Sequence, residues 1–219
     1  MSRPQLSREQ IAKAALDYID RHGLEALSMR RLAEQLGVGT MTLYGYFRSK
    51  QELLDGVIDS AVGEPVPAIP SGTWRESIRD LSQAARANLT RHPALVEVRI
   101  SQPVLRPESL RFAEVGMRVL MDAGFPRDEA ARVFRLLFTY TFGFAAFSPD
   151  EQSDVARAAA RTALSALPAD EYPALTSSVD EAAQAMAGDE AFDYGLERIL
   201  DGIEARLAQL EPSPTATAR

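Results

Sequence analysis

Two short apolar stripes at helical spacing stand on either side of Gly37-Val38-Gly39. Met29, Leu32, Ala33 and Leu36 form the first; Leu43 and Phe47 form the second. Neither segment can hold a helix by itself, because isolated helices below about 12–15 residues are marginal in water. A connection this short brings the two into contact as a helix-turn-helix pair, which needs neighbours to cover its apolar sides. The flanking sequence supplies them. Ser7-Arg8-Glu9-Gln10 reads as a capping box, followed by Ile11, Ala14, Ala15, Tyr18 and Ile19 on one helical face and a stop at Gly23. Ser28 is a good N-cap for the second helix, and Thr40 can cap the third. A second capping box, Ser49-Lys50-Gln51-Glu52, opens a fourth helix with Leu53, Leu54, Val57, Ile58 and Ala61 turned inward.

The third helix matters for what it leaves outside the core. With Leu43 and Phe47 as anchors, Thr40, Met41, Thr42, Tyr44, Gly45 and Tyr46 stay available at the surface. Hydroxyls can bond base edges or phosphates, and Thr and Met methyl groups can meet a thymine methyl. Glycine permits close backbone approach. Lys50, at the start of the next helix, can hold a phosphate together with that helix's N-terminus. Short helix pairs with glycine turns also serve as plain packing units, and spacing alone does not separate the two readings. Charge and the exposed tyrosines favour DNA: residues 28–50 carry Arg30, Arg31, Arg48 and Lys50 against Glu34 alone.

The net charge of −7 sits elsewhere. Residues 63–219 carry 16 basic and 23 acidic side chains, which accounts for all of it, so a cationic head precedes an acidic body. Catalysis has little to work with. There is no cysteine and there are only two histidines, His22 and His92. That excludes a disulfide framework, a thiolate metal site and a cysteine nucleophile, and no nucleophile elbow, phosphate-binding glycine loop or zinc-binding helix motif is present. The chain is expected to be a non-enzyme without metal or cofactor. With no signal-like or bilayer-length apolar run, it reads as soluble and cytoplasmic, with no membrane partner.

The run Leu27-Ser28-Met29-Arg30-Arg31-Leu32-Ala33-Glu34-Gln35-Leu36-Gly37-Val38, followed by Thr42-Leu43-Tyr44-Gly45-Tyr46-Phe47-Arg48-Ser49-Lys50, resembles the DNA-binding domain of the TetR family of bacterial regulators over roughly residues 7–60. The resemblance implies an all-α homodimer: an N-terminal helix-turn-helix domain over 1–62, a larger helical ligand-binding and dimerisation domain over 63–211, and a disordered tail over 212–219. It also implies DNA contacts at Ser28, Arg30, Thr40, Met41, Thr42, Tyr44, Tyr46 and Lys50, with Thr40–Thr42 reading bases, Tyr44 and Tyr46 on the backbone and Lys50 on a phosphate. Gly45 departs from the larger residue often found there. Partners are then a double-stranded operator and a small-molecule effector.

Beyond a Pro-rich connection over 63–72, helices are expected near 74–91, 94–101, 107–123, 126–147, 151–166 and 190–210, with a loop from Pro168 to about Asp180. The 126–147 helix is apolar on nearly every side, so one face must meet a partner or a ligand. Effector-lining candidates are Trp74, Phe112, Met117, Met121, Phe134, Phe138, Tyr140 and Phe142, with ordinary core packing as the alternative for each. His92 is either a further anchor or simply the end of a helix. The final helix resembles the closing helix of one branch of the family, which implies a dimer face involving Phe144, Phe147, Leu196, Ile199, Gly202, Ile203 and Leu207. Gly195 and Gly202 suggest close helix approach, since a helical glycine costs about 1 kcal/mol relative to alanine. A constitutive DNA binder without an effector is the remaining alternative.

Overall fold

The computed structural model describes residues 6–62, 72–101, 110–147, 153–185 and 188–210. All regular structure among them is helical. The order is α1 (Arg8–His22), α2 (Met29–Gln35), α3 (Thr40–Tyr46), α4 (Lys50–Val62), α5 (Trp74–Arg91), α6 (Ala94–Ser101), α7 (Arg111–Asp122), α8 (Arg127–Phe147), α9 (Ser153–Ser165), α10 (Pro173–Thr176), α11 (Val179–Gln184) and α12 (Asp189–Leu210). Contacts divide the chain into two units, residues 1–70 with 87–116 and residues 71–86 with 117–219.

The first unit has one continuous core. Ile11, Ala15 and Ile19 of α1, Leu32 of α2, Leu43 and Phe47 around α3, and Leu53 and Val57 of α4 are all essentially buried in it. The first expected capping box is formed. Ser7 Oγ accepts from Gln10 N–H while the Gln10 side chain accepts from Ser7 N–H. α1 stops at Gly23, whose φ of 81° suits a residue without a Cβ. α6 adds Ala94, Leu95 and Val98 to the same core, packed on α1 and α4. A cut at residue 62 leaves α6 with the body, whereas its contacts put it with the head. Asp20 of α1 is the tie: one carboxylate oxygen accepts from Ala94 N–H (3.1 Å) and the other meets His92 Nδ1 (2.8 Å). His92 therefore ends α5 and links α6 to α1.

The second unit is built on α8 and α12, with the N-terminal turns of α5 beside them. Val133 and Leu137 face inward from α8; Phe192, Leu196, Leu200 and Ile203 face inward from α12. A column of charge joins α5 to α12. Arg75 bonds Glu197 (2.7 Å), Asp201 (2.6 Å) and Glu204 (2.9 Å), Arg79 bonds Glu197 (2.6 Å), Gln83 bonds Asp193 (3.0 Å), and Arg86 pairs with Asp189. The pairing is antiparallel: as α5 runs from 75 to 86, its partners run back from 204 to 189.

α9 packs against α10 and α11. The loop expected from Pro168 to about Asp180 is corrected here: it contains α10 and the start of α11. Pro173 occupies the first turn of α10, where its missing N–H costs nothing, and Asp180 and Glu181 favour the N-terminus of α11. Residues 107–109, most of the 63–72 connection and the 212–219 tail lie outside the described residues, as does the side chain of Ala61.

Candidate nucleic-acid interface

The turn between α2 and α3 is a Schellman motif. Val38 N–H bonds Ala33 C=O (3.0 Å), Gly37 N–H bonds Glu34 C=O (3.2 Å), and Gly37 takes φ 65°. Ser28 caps α2, its Oγ accepting from Arg31 N–H (3.2 Å). Gly39, not Thr40, occupies the N-cap of α3, and no side chain caps that end. The correction is local: the Schellman turn is spent by Val38, so helical geometry begins one residue sooner than a Thr40 cap requires. Thr40 is half-buried in the first turn.

α3 presents the expected surface. Leu43 and Phe47 are buried, while Met41 is 80% exposed and Thr42, Tyr44 and Gly45 are exposed beside a half-buried Tyr46. Arg30 is exposed on α2 and paired with Glu34 at 2.9 Å, an i,i+4 pair that a phosphate can outcompete at small cost. Lys50 donates from Nζ to the Leu24 carbonyl (3.1 Å), leaving two further donors on the ammonium.

Other contacts, which patterning did not reveal, fix the C-terminal end of α3. The Arg8 guanidinium lies 4.2 Å from the Phe47 ring centroid, donates to the Tyr46 carbonyl and pairs with Glu52 (3.0 Å). Glu52 N–H bonds Ser49 Oγ (3.1 Å), the expected half of the second capping box, while its carboxylate accepts from Arg48 N–H (2.7 Å). That backbone bond, then Arg8, hold the Glu52 carboxyl below the usual carboxylate range. Gly56 of α4 lies under the same ring: a Cβ there would stand 2.7 Å from Phe47 Cε1. Arg8 reaches Tyr46, Phe47 and Glu52 across 38 or more positions, so only the Ser49 capping box and the glycine inside an otherwise good helix were readable signals.

In the second unit, Trp74 packs edge-on to Phe125 at 6.0 Å. Phe138 stacks on Phe142 (5.6 Å) and stands 6.5 Å from Phe134, all three half-buried along α8. Met117 is half-buried and Met121 partly exposed; Phe112 belongs to the first unit. Tyr140 donates to the Phe192 carbonyl (2.7 Å) and stacks on its ring, and burial pushes its phenol up. It also covers Gly195, where a Cβ would lie 2.8 Å from Tyr140 Cζ. The close approach expected at Gly195 is thus made within the protomer. Leu196 and Ile203 are likewise buried within it, Phe144, Ile199 and Leu207 are half-buried, and Phe147 (90%) and Gly202 are exposed.

Residues 11–57 match the family model described as bacterial regulatory proteins, tetR family, and residues 66–207 match the tetracyclin repressor-like C-terminal domain. The chain belongs to the TetR family. This TetR-family chain is 32% identical to the HTH-type transcriptional repressor DrrR1 of Streptomyces coeruleorubidus, over 94% of its length and 80% of that protein's. Against the class D tetracycline repressor protein of Escherichia coli the identity is 26%, covering 94% and 93%. The ActR protein of Streptomyces coelicolor in complex with actinorhodin superposes with a TM-score of 0.78 at 31% identity, covering 93% of this chain and 98% of ActR. Membership makes the chain a DNA-binding transcriptional regulator rather than an enzyme. No helix among the described residues is long and apolar enough to cross a membrane.

Proposed function

We propose that this TetR-family chain is a cytoplasmic homodimeric repressor that binds a near-palindromic operator and is released by a small, mostly apolar effector. The observation that carries the reading is the division of α3 into two buried anchors and an exposed face of Met41, Thr42 and Tyr44. Residues 1–62 read the operator. Thr40, Met41 and Thr42 meet base edges, while Ser28, Arg30, Tyr44, Tyr46 and Lys50 hold the backbone. Two such heads about one DNA turn apart read an inverted repeat. The dimer face lies on α8 and α12. Phe144, Phe147, Ile199, Gly202 and Leu207 retain surface to offer, and Leu196 and Ile203 back them from within the core.

Residues 63–211 carry the effector site, lined by Trp74, Met117, Met121, Phe134, Phe138, Tyr140 and Phe142. The half-buried aromatic row on α8 supports an apolar or aromatic effector, and the crystal structures of ActR in complex with (S)-DNPA and with actinorhodin support a small-molecule effector of some kind. An effector that prefers a different spacing of the heads lowers operator affinity by the factor by which operator lowers its own.

The test is selection of a randomised duplex library on the purified protein, with Lys50→Ala in parallel. One enriched inverted repeat is expected. Lys50→Ala should weaken binding to every sequence and reduce the salt slope by about one unit. Absence of enrichment at moderate salt would remove the reading.

A further inference from the structure

The head contains five glycines between residues 23 and 56, and four of them have an internal or structural reason. Gly23 and Gly37 take positive φ. Gly39 is an N-cap, a position glycine fills well. Gly56 makes room for the Phe47 ring. Gly45 has none of these. Its φ is not positive, it lies inside a seven-residue helix, and a Cβ built on it meets nothing within 4 Å. Glycine is the poorest helix former after proline, so it weakens the element that most needs help. Fold stability therefore favours any other residue but proline here.

Its position shows where the compensation comes from. At about 100° per residue, Gly45 lies about 200° round the axis from Leu43, on the side of α3 opposite the buried anchor. Met41, one turn earlier on the same line, is the most exposed large apolar residue of the head among the described residues. Tyr44 and Tyr46 flank Gly45 on either side. The result is a notch on the outermost ridge of the helix, with a thioether at one end and a phenol on each shoulder.

We infer that Gly45 is a specificity-determining residue of the operator contact: its missing side chain lets α3 seat deeper in the major groove, where Met41 meets a thymine methyl group. Apolar contact is how that methyl is read, and deeper seating brings the Thr42 hydroxyl and both phenols nearer their partners. The inference rests on the DNA-reading assignment of α3 made above.

The test compares full-length protein with Gly45→Ala on the selected duplex, on the same duplex with thymines of the half-site replaced by uracil, and on a scrambled duplex. Thermal unfolding is followed without DNA. Gly45→Ala should raise the unfolding midpoint by about 2–4 °C. It should weaken the selected duplex about tenfold or more, with little change on the scrambled one. Removing the thymine methyls should weaken the wild type more than Gly45→Ala, because the raised helix no longer reaches them. Equal affinity of Gly45→Ala and wild type for the selected duplex would overturn the inference while leaving the DNA-reading assignment standing. A wild type with no preference for any duplex would overturn both.

Discussion

The recognition helix α3 is held by two buried hydrocarbon anchors, whereas α5 is held to α12 by a column of charges. Leu43 and Phe47 lie in a core shared by α1, α2, α4 and α6. Burying side chains of this size contributes about 1.5–3 kcal/mol each and is largely indifferent to pH. The α5–α12 junction instead depends on Arg75, Arg79 and Arg86 against Glu197, Asp201, Glu204 and Asp189. An exposed pair is worth about 0–1 kcal/mol, but Arg75 is mostly buried and meets three carboxylates, so this is a network that responds to salt and acid. A surface that must present the same groups to DNA each time is fixed by shape. The α5–α12 junction is fixed by charge.

The contrast breaks first at Phe47. Phe47→Ala empties a site packed by Arg8, Gly56 and the α1 and α4 side chains, and should cost about 3–5 kcal/mol. Urea unfolding is expected to show an early transition of the head at every pH, with loss of duplex binding. A loss below about 1 kcal/mol would mean that α3 is not anchored by this ring.

Next in size is Gly195→Ala. The new methyl collides with Tyr140, whose hydroxyl is bonded to Phe192 and whose ring is stacked on it. Overpacking of about 1–3 kcal/mol outweighs a helix-propensity gain of about 1 kcal/mol. A lower unfolding midpoint is expected, and Tyr140→Phe should recover part of it by removing the oxygen nearest the methyl. No recovery would place the strain elsewhere.

Glu197 sharpens the electrostatic side. Hydrogen bonding to Arg79, and then to Arg75, holds its carboxyl at about 2, below the ordinary value of 4.5. A depressed folded-state value stabilises the fold above the unfolded one and is lost as pH falls, here between 4.5 and about 2. The group is partly solvated, so about 1 kcal/mol is the expected size. Glu197→Gln should lose that at pH 7, change little at pH 2, and flatten the acid limb of the stability curve relative to wild type. Parallel curves for the two proteins from pH 7 to 2 would show that the pairing contributes nothing.

These effects differ in how readable they were. The head could be read because its rules are local: caps at Ser7 and Ser28, the stop at Gly37, and stripes such as Ile11–Ala15–Ile19 all act within a few residues. The Arg8–Glu52–Phe47 cluster and the Asp20–Ala94 cap join residues 39 or more positions apart and left no periodic trace. The α5–α12 column did leave one. Basic or amide residues recur at 75, 79, 83 and 86, and acids at 189, 193, 197, 201 and 204, each on one helical stripe. Matching two stripes more than 100 residues apart requires knowing that the helices run antiparallel. α10 and α11 were missed because short helices carry little periodicity, although Pro173 and the Asp180-Glu181 pair mark their starts.

Gly202 gives the smallest effect and separates protomer from dimer. Unlike Gly195 two turns earlier, it is exposed, and a Cβ there meets nothing within 4 Å. Within one chain Gly202→Ala should therefore gain about 0.5–1 kcal/mol. If the proposed dimer brings a second copy against this face, the methyl must be accommodated between two helices, and the gain turns into a loss wherever the dimer is populated. Thermal unfolding at micromolar and at nanomolar protein tests this, because association makes the midpoint depend on concentration. A higher midpoint for Gly202→Ala only at the lower concentration, with weaker self-association in sedimentation, is the expected result. A gain of equal size at both would leave Gly202 facing solvent and move the dimer contact toward Phe147.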